Sequence, residues 1–559
     1  MFRSPNRLAW LMAAGAAIFL VVAFAAMAWQ PLTGDENDVY LSATDWYRFR
    51  LMIFHPQLWV HFIQLLLAVL GEGTLAPRLA SLLPNIAIVF MLVPISRRLA
   101  ATSGSRAQWI APVLFAISPL VTQNSILIDF DTGLLAAMCL GLVWVWFGLG
   151  DARPIARITM TAVVFALSLW VKLTTPPMVV LTLWLYHGRL GEWRKVRDSL
   201  IAAVAGAALF VGTHLVYSAF TGYTLADAAR AFGWDRTIDR SLLQTVMTYA
   251  PQGSGLLLFW VSLPMGILWL VIALRTIHRW IKGRLTPMDA GVILSVGAFA
   301  FYTFFLVPPY AYPRYQTIMF PFMTIAVAGE LLNAWNALPR RLGLVAILLG
   351  ALTFAYILLV TGDPLLKIYL TTYETTSISS RLQSGLAALA AVGIPSGVAI
   401  AAAAALALRR RAGFAALAWV MLAATAIGMY LATDLLQVTA SYSTRYRYGY
   451  SYADREAATR LLRESVPPDG YVLLDKDMLW NLPFDGEQVY GYMADSRALL
   501  DLAGRRRVDA LSWTDKEWIK SAIRDSSEAK KALADCYKQS RFGPATVLIR
   551  APGPDCRLR

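Results

Sequence analysis

Thirteen times along this chain a run of apolar residues recurs, most of them about 16 to 22 residues long. That is the length an α-helix needs to cross a hydrocarbon core of roughly 30 Å. The spans predicted from these runs are 8–29, 76–96, 107–123, 132–149, 157–173, 176–188, 199–219, 254–275, 288–307, 314–333, 342–361, 386–408 and 413–433. With 57% apolar and only 15% charged residues, the chain lacks the polar surface of a soluble protein of its length. One further run, Pro56 to Leu70, is apolar but short. It is read as an interfacial helix.

The formal net charge of +15 invites a nucleic-acid reading, but its distribution argues against one. Basic residues cluster in short loops between the apolar runs, as at Arg97-Arg98, Arg194-Lys195, Arg340-Arg341 and Arg409-Arg410-Arg411. In the C-terminal region acids nearly balance them. No basic stripe interleaved with stacking aromatics appears, so no nucleic-acid partner is expected. The basic loops instead follow the positive-inside rule. They place the N-terminus in the cytoplasm and the loops 30–75, 219–253 and 362–385 on the outer side. Treating Pro56–Leu70 as a span would reverse this match for most later loops.

The composition changes near Ser441. A Tyr-rich linker leads to a helix-like stretch, Ala453 to Glu464, and a turn at Pro467-Pro468-Asp469-Gly470. Strand-like segments follow at Tyr471–Leu474, Val489-Tyr490 and Ala545–Ile549, with a charged helix around Thr514 to Asp535. The expected architecture is therefore an all-α polytopic membrane domain, 1–440, followed by a soluble α/β domain, 441–559, outside the membrane. Cys139 is read as a core residue, whereas Cys536 and Cys556 share that domain, where a disulfide would require an oxidising compartment.

Ionisable groups near a membrane are costly and mark candidate sites. Two acidic clusters fall on the outer side: Asp35 and Glu36 after the first span, and Asp129 and Asp131 between the third and fourth. Asp131 would also serve as a helix cap, and Asp35-Glu36 as a solvated loop. A carboxylate pair suits proton abstraction from a hydroxyl, or binding of a divalent metal with Asp35 and Asp131 as candidate ligands. His55, Arg78, Lys172, Arg314 and Tyr315 lie on the same side, and cations there suit an anionic phosphate group. Arg78 is equally well explained as an interfacial anchor. No Walker, GxGxxG, HExxH or paired CxxC motif occurs.

The order Asp35-Glu36, Phe54-His55-Pro56-Gln57-Leu58-Trp59, Arg78-Leu79-Ala80-Ser81 and Arg97-Arg98 resembles the GT-C glycosyltransferases. The branch is that of the protein O-mannosyltransferases and the lipid A aminoarabinose transferase. Gln57 and Trp59 depart from the His-Pro-Pro-Leu-Tyr-type motif of that branch. Ser118-Pro119 with Asp131, Ala166-Leu167-Ser168 with Lys172, and Pro313-Arg314-Tyr315 with Pro321 extend the likeness over roughly residues 30–330. The resemblance implies inverting transfer of a sugar from a polyprenyl-phosphate donor to a lipid, glycan or protein acceptor. It also implies a multi-pass protein of a bacterial inner membrane, acting at the periplasmic face. It makes Asp35 the general base with Glu36 beside it, and Asp129 or Asp131 the second acid. Lys172 and Arg314 become the donor-phosphate ligands. Loop 362–385, with Tyr369, Tyr373 and Glu374, is long enough for a lid. The competing classes are a flippase or transporter of a lipid-linked sugar and an O-antigen ligase or polymerase. A transporter would be expected to show internal repeats, which this sequence lacks.

Overall fold

Helices form almost wherever the apolar runs predict them. The computed structural model describes residues 7–28, 34–44, 46–49, 55–71, 75–99, 107–149, 153–229, 260–306, 313–361, 412–441, 452–467, 472–474, 488–490, 508–513, 527–543 and 545–551, with single residues 393, 397 and 470. In chain order the helices are α1 (Arg7–Met27), α2 (Gly34–Thr44), α3 (Trp46–Phe49), α4 (Leu58–Leu70), α5 (Leu75–Leu99), α6 (Ala107–Ala116), α7 (Pro119–Asn124) and α8 (Leu134–Leu149). There follow α9 (Pro154–Leu169), α10 (Thr175–Arg189), α11 (Trp193–Thr221), α12 (Leu225–Ala228), α13 (Leu263–Ile281), α14 (Pro287–Ala300), α15 (Phe320–Asn336) and α16 (Arg340–Tyr356). The last three are α17 (Ala412–Ser441), α18 (Tyr452–Ser465) and α19 (Ser527–Cys536).

Among the described residues, six helical segments are long and apolar enough to cross a membrane: 7–27, 75–99, 193–221, 287–304, 340–361 and 416–439. Most other predicted spans coincide with shorter helices. All of the predicted span 386–408 except residues 393 and 397, the loop 362–385 and most of 219–253 lie outside the described residues. Helix α4 has 13 residues. At 1.5 Å per residue it extends about 20 Å, too short to cross.

The chain divides into two compact units, one comprising 1–25, 42–71 and 76–436, the other 26–41, 72–75 and 437–559. In the first, α9 packs against α8 and α11, α10 against α11 and α14, and α15 against α6 and α14. The two ends of this bundle differ chemically. At one end arginines cover helix C-termini, whose last carbonyls have no intrahelical partner. Arg98 Nε donates to the Phe147 carbonyl at 3.0 Å, and Arg189 donates to the Trp280 and Ile281 carbonyls at 2.7 and 2.8 Å. At the same end Arg157 on α9 meets Asp198 on α11 at 2.9 Å, both buried, with the guanidinium 4.6 Å from the Trp146 ring.

Removing Arg157 takes away the buried partner of Asp198 and leaves it only the largely exposed Arg197, 3.1 Å from its other oxygen. Arg157→Met is expected to destabilise the protein by less than the roughly 3–5 kcal/mol of a fully stranded buried charge. Adding Asp198→Leu should recover most of that loss, measured by thermal unfolding in detergent. Equal losses in the single and double variants would assign the effect to packing on Trp146 instead.

The second unit contains a five-stranded sheet in the order β2-β1-β3-β5-β4. Its strands are β1 (Val472–Leu474), β2 (Gln488–Tyr490), β3 (Ala510–Trp513), β4 (Tyr537–Phe542) and β5 (Ala545–Arg550). β1 runs parallel to β2 and β3, while β5 runs antiparallel to β3 and β4. Ala458, Leu462 and Val466, on α18 and just after it, close over Val472, Ala510 and Val547 in one apolar core. Cys536 is disulfide-bonded and Cys139 is free and buried. Cys556 lies outside the described residues.

Candidate active site

The opposite end of the bundle gathers the buried charges of Asp129, Asp131, Lys172 and Arg314, with that of Arg78 beside them. Ser118 and Pro119 start the short helix α7, and the chain then turns through Asp129 and Asp131 before α8. Gly133 lets this turn lie directly on α5, because a Cβ there would be 2.9 Å from the Ser81 carbonyl oxygen. Arg78 and Ser81 on α5 secure the approach. Arg78 Nη1 donates to the Ile126 carbonyl at 2.7 Å, and the Ser81 hydroxyl donates to that of Leu127. The buried Arg78 guanidinium thus holds the backbone that carries the two acids.

Lys172 follows α9, in the break before Pro176 and Pro177 start α10. Its ammonium donates to both carboxylate oxygens of Asp131, at 2.8 and 2.9 Å. Three rings surround it, with Nζ 5.3 Å from the centre of Phe130, 5.5 Å from Tyr302 and 5.1 Å from Tyr315. Cation–π attraction strengthens when the cation is desolvated, as it is here. Tyr302 lies in a π-helical turn, Phe301–Leu306, that continues α14. Its ring is parallel to that of Tyr315, and its hydroxyl is hydrogen-bonded to Thr175.

Arg314 lies in a 3-10 turn, Pro313–Ile318, ahead of α15. Its Nε is 3.2 Å from Asp129 Oδ2, and its guanidinium is 5.5 Å from the same Tyr315 ring that faces Lys172. Asn124, at the end of α7, donates to Thr317, whose hydroxyl donates to the Arg314 carbonyl. Asp129 Oδ1 accepts the Asp131 backbone N–H at 2.8 Å, which ties the two ion pairs together. Asp129, Asp131, Lys172 and Arg314 are all 6% exposed or less.

His55 completes the cluster, its ring 4.4 Å from Phe130. Burial, and then the charge of Lys172, holds its imidazole well below the usual histidine range, so it is neutral at pH 7. The segment is fixed by backbone contacts. Tyr223 donates to the His55 carbonyl at 2.9 Å, and the Leu58 N–H donates to the Trp170 carbonyl at 3.3 Å.

The structure therefore brings together Asp129, Asp131, Lys172, Arg314, Tyr315 and His55, with Arg78 supporting them. Asp35 and Glu36 lie in the first turn of α2, in the other compact unit, and Glu36 is buried. Sequence reasoning missed Phe130, Tyr302 and Thr175. A tyrosine inside an apolar run carries no signal separating it from core, although Phe130 between two acids was visible. For a metal the fit is poor, since both Asp131 oxygens are held by an ammonium. Among the described residues no group of three His, Cys, Asp or Glu is placed to hold one.

No protein-family model matches the chain, and none of the curated proteins matches it. Among solved structures it is similar to ArnT from Cupriavidus metallidurans bound to undecaprenyl phosphate. That likeness has a TM-score of 0.63 and 16% identity, covering 98% of this chain and 99% of that one. The apo state of the same protein gives a TM-score of 0.61, again at 16% identity, covering 98% of each chain. At this identity the likeness establishes the fold, and it extends over nearly the whole chain.

Proposed function

We propose that this multi-pass membrane protein of the GT-C fold is a glycosyltransferase that takes a sugar from a polyprenyl-phosphate donor. The observation that carries the reading is the pair of buried cations, Lys172 and Arg314, facing a shared tyrosine ring at one end of the bundle. The fold is shared with a protein crystallised with undecaprenyl phosphate. A polyprenyl phosphate joins an apolar chain to an anion, which suits cations buried at the end of an apolar bundle.

In the proposed reaction the acceptor oxygen bonds to the anomeric carbon as the bond from that carbon to the phosphate oxygen breaks. The configuration inverts. The electron pair leaves with polyprenyl phosphate, whose charge Lys172 and Arg314 stabilise. Asp35 accepts the acceptor's proton, with Glu36 beside it, as the resemblance implies. Arg78 is assigned to holding the acidic turn and Tyr315 to aligning the two cations. Acceptors of three classes remain consistent with the site: a lipid, a glycan or a protein.

The orientation we assign puts the arginine-covered end in the cytoplasm, by the positive-inside rule, and the end that holds Lys172 and Arg314 at the periplasmic face of a bacterial inner membrane. The bonded state of Cys536 supports an oxidising compartment for the C-terminal α/β domain.

The test supplies purified protein with radiolabelled polyprenyl-phosphate sugars and a membrane extract. Asp35→Asn is expected to lower transfer by about 10²–10⁴-fold, the usual contribution of a general base, while leaving donor binding intact. Transfer at the unmodified rate would remove Asp35 from the mechanism. A reporter fused after Arg559 that reads cytoplasmic would overturn the orientation.

A further inference from the structure

Lys172 and Arg314 are offset, one for one, by Asp131 and Asp129. In that closed arrangement each of these two cations already faces a carboxylate. An incoming phosphate would meet two cations that are already neutralised, and so would gain little from Coulomb attraction. For an anion to bind here, at least one carboxylate has to give way.

The two carboxylates are not equally free to do so. Asp129 is tied to its own turn through Oδ1, which accepts the Asp131 backbone N–H at 2.8 Å, while Oδ2 faces Arg314 Nε across an ion pair of 3.2 Å. Its own carbonyl also accepts from the Thr132 hydroxyl at 2.6 Å. Both hydrogen bonds of the Asp131 carboxylate go to one flexible group, the Lys172 ammonium. A lysine ammonium is a point charge that turns its three N–H bonds towards a new acceptor without leaving its place. The rings of Phe130, Tyr302 and Tyr315 hold it there whichever anion it meets.

We infer that the donor phosphate displaces Asp131 from Lys172, so that donor binding itself frees the Asp131 carboxylate to orient the acceptor. Asp129 stays with Arg314 throughout. In the empty site Asp131 occupies the phosphate's place on Lys172, and it becomes available to an acceptor only once the donor is seated. The coupling ties acceptor engagement to donor occupancy. The inference rests on the donor class proposed above.

The sign of one measurement separates this from a purely structural ion pair. Undecaprenyl phosphate is titrated onto the unmodified protein, Asp131→Asn and Lys172→Met, in detergent. With its competitor removed, Asp131→Asn is expected to bind roughly tenfold more tightly, a gain of about 1.4 kcal/mol. Its transfer rate should nevertheless fall. Lys172→Met should lose binding. Unchanged or weaker binding by Asp131→Asn overturns the exchange while leaving the donor class standing. No saturable binding to the unmodified protein removes the donor class as well.

A second measurement needs no variant. Labelling of the unmodified protein by a hydrophobic carbodiimide, located by peptide mass spectrometry, should rise at Asp131 when undecaprenyl phosphate is added. Labelling at Asp129 should stay constant. No change at Asp131, or an equal rise at both, overturns the inference.

Discussion

Lys172→Met is expected to reduce sugar transfer by about 10²–10³-fold or more, the range seen when one preorganised charge-stabilising donor is removed. The side chains are similar in length, so the ring cage of Phe130, Tyr302 and Tyr315 stays filled. The charge is lost. Two effects follow from that loss, and they are separable. The leaving phosphate loses a cation, which lowers the rate. Asp131 loses both of its hydrogen bonds in a site where it is 1% exposed, which lowers stability by about 3–5 kcal/mol. Combining Lys172→Met with Asp131→Leu removes the stranded carboxylate. The double variant should unfold near the temperature of the unmodified protein and transfer more slowly than Asp131→Leu alone. Recovery of transfer along with stability would mean that Lys172 serves only the fold. Lys172→Arg keeps the charge but substitutes a planar fork for a compact ammonium within the ring cage, so only partial activity is expected.

The fold was legible where a single physical requirement repeats along the chain. Crossing a bilayer demands an apolar run of set length, so α5, α11 and α16 begin within a few residues of the predicted spans. Ends were less legible. The predicted spans 288–307 and 314–333 include a π-helical turn at Phe301–Leu306 and a 3-10 turn at Pro313–Ile318, which hydropathy does not register. Those departures from the α-helix hold Tyr302 and Arg314. In the C-terminal region the strands at Val472–Leu474 and Ala545–Arg550 carried apolar runs. β4, Tyr537–Phe542, reads Tyr-Lys-Gln-Ser-Arg-Phe and alternates too weakly to announce itself. Residue type and order singled out all four charges that the structure brings together, with Asp129 and Asp131 as alternatives for a second acid. Their pairing was hidden, because Asp131 and Lys172 are 41 positions apart and either acid is chemically suited to either cation. Only packing of α8 beside α9 decides that Asp131 meets Lys172.

Gly428→Leu should abolish the folded protein, whereas Gly15→Leu should be tolerated. A Cβ on Gly428 of α17 would overlap the Gly350 carbonyl oxygen of α16 and lie 3.1 Å from the Gly350 carbonyl carbon. The contact is reciprocal, since a Cβ on Gly350 would be 2.9 Å from the Ala424 carbonyl oxygen. These partners are backbone atoms within helices, so no rotamer change relieves the clash. Small residues four apart let two membrane helices approach this closely, and van der Waals contact is a main source of their association. Even a single added methyl should cost about 1–3 kcal/mol by overpacking. A leucine would drive the helices apart. The damage would then reach the site. Two turns further along α17, Asp434 accepts a hydrogen bond at 2.7 Å from Thr122 on α7, and Asn124 on the same short helix donates to Thr317 beside Arg314. Gly428→Ala should therefore weaken transfer at temperatures where the bundle remains folded, by loosening the grip of α7 on the Arg314 turn. Gly15, with nothing within 4 Å of its Cβ position, is the control for adding bulk to a membrane helix. Size-exclusion chromatography and thermal unfolding of the three variants decide the matter, and equal loss from Gly15→Leu and Gly428→Leu would show that the α16–α17 contact has no special weight.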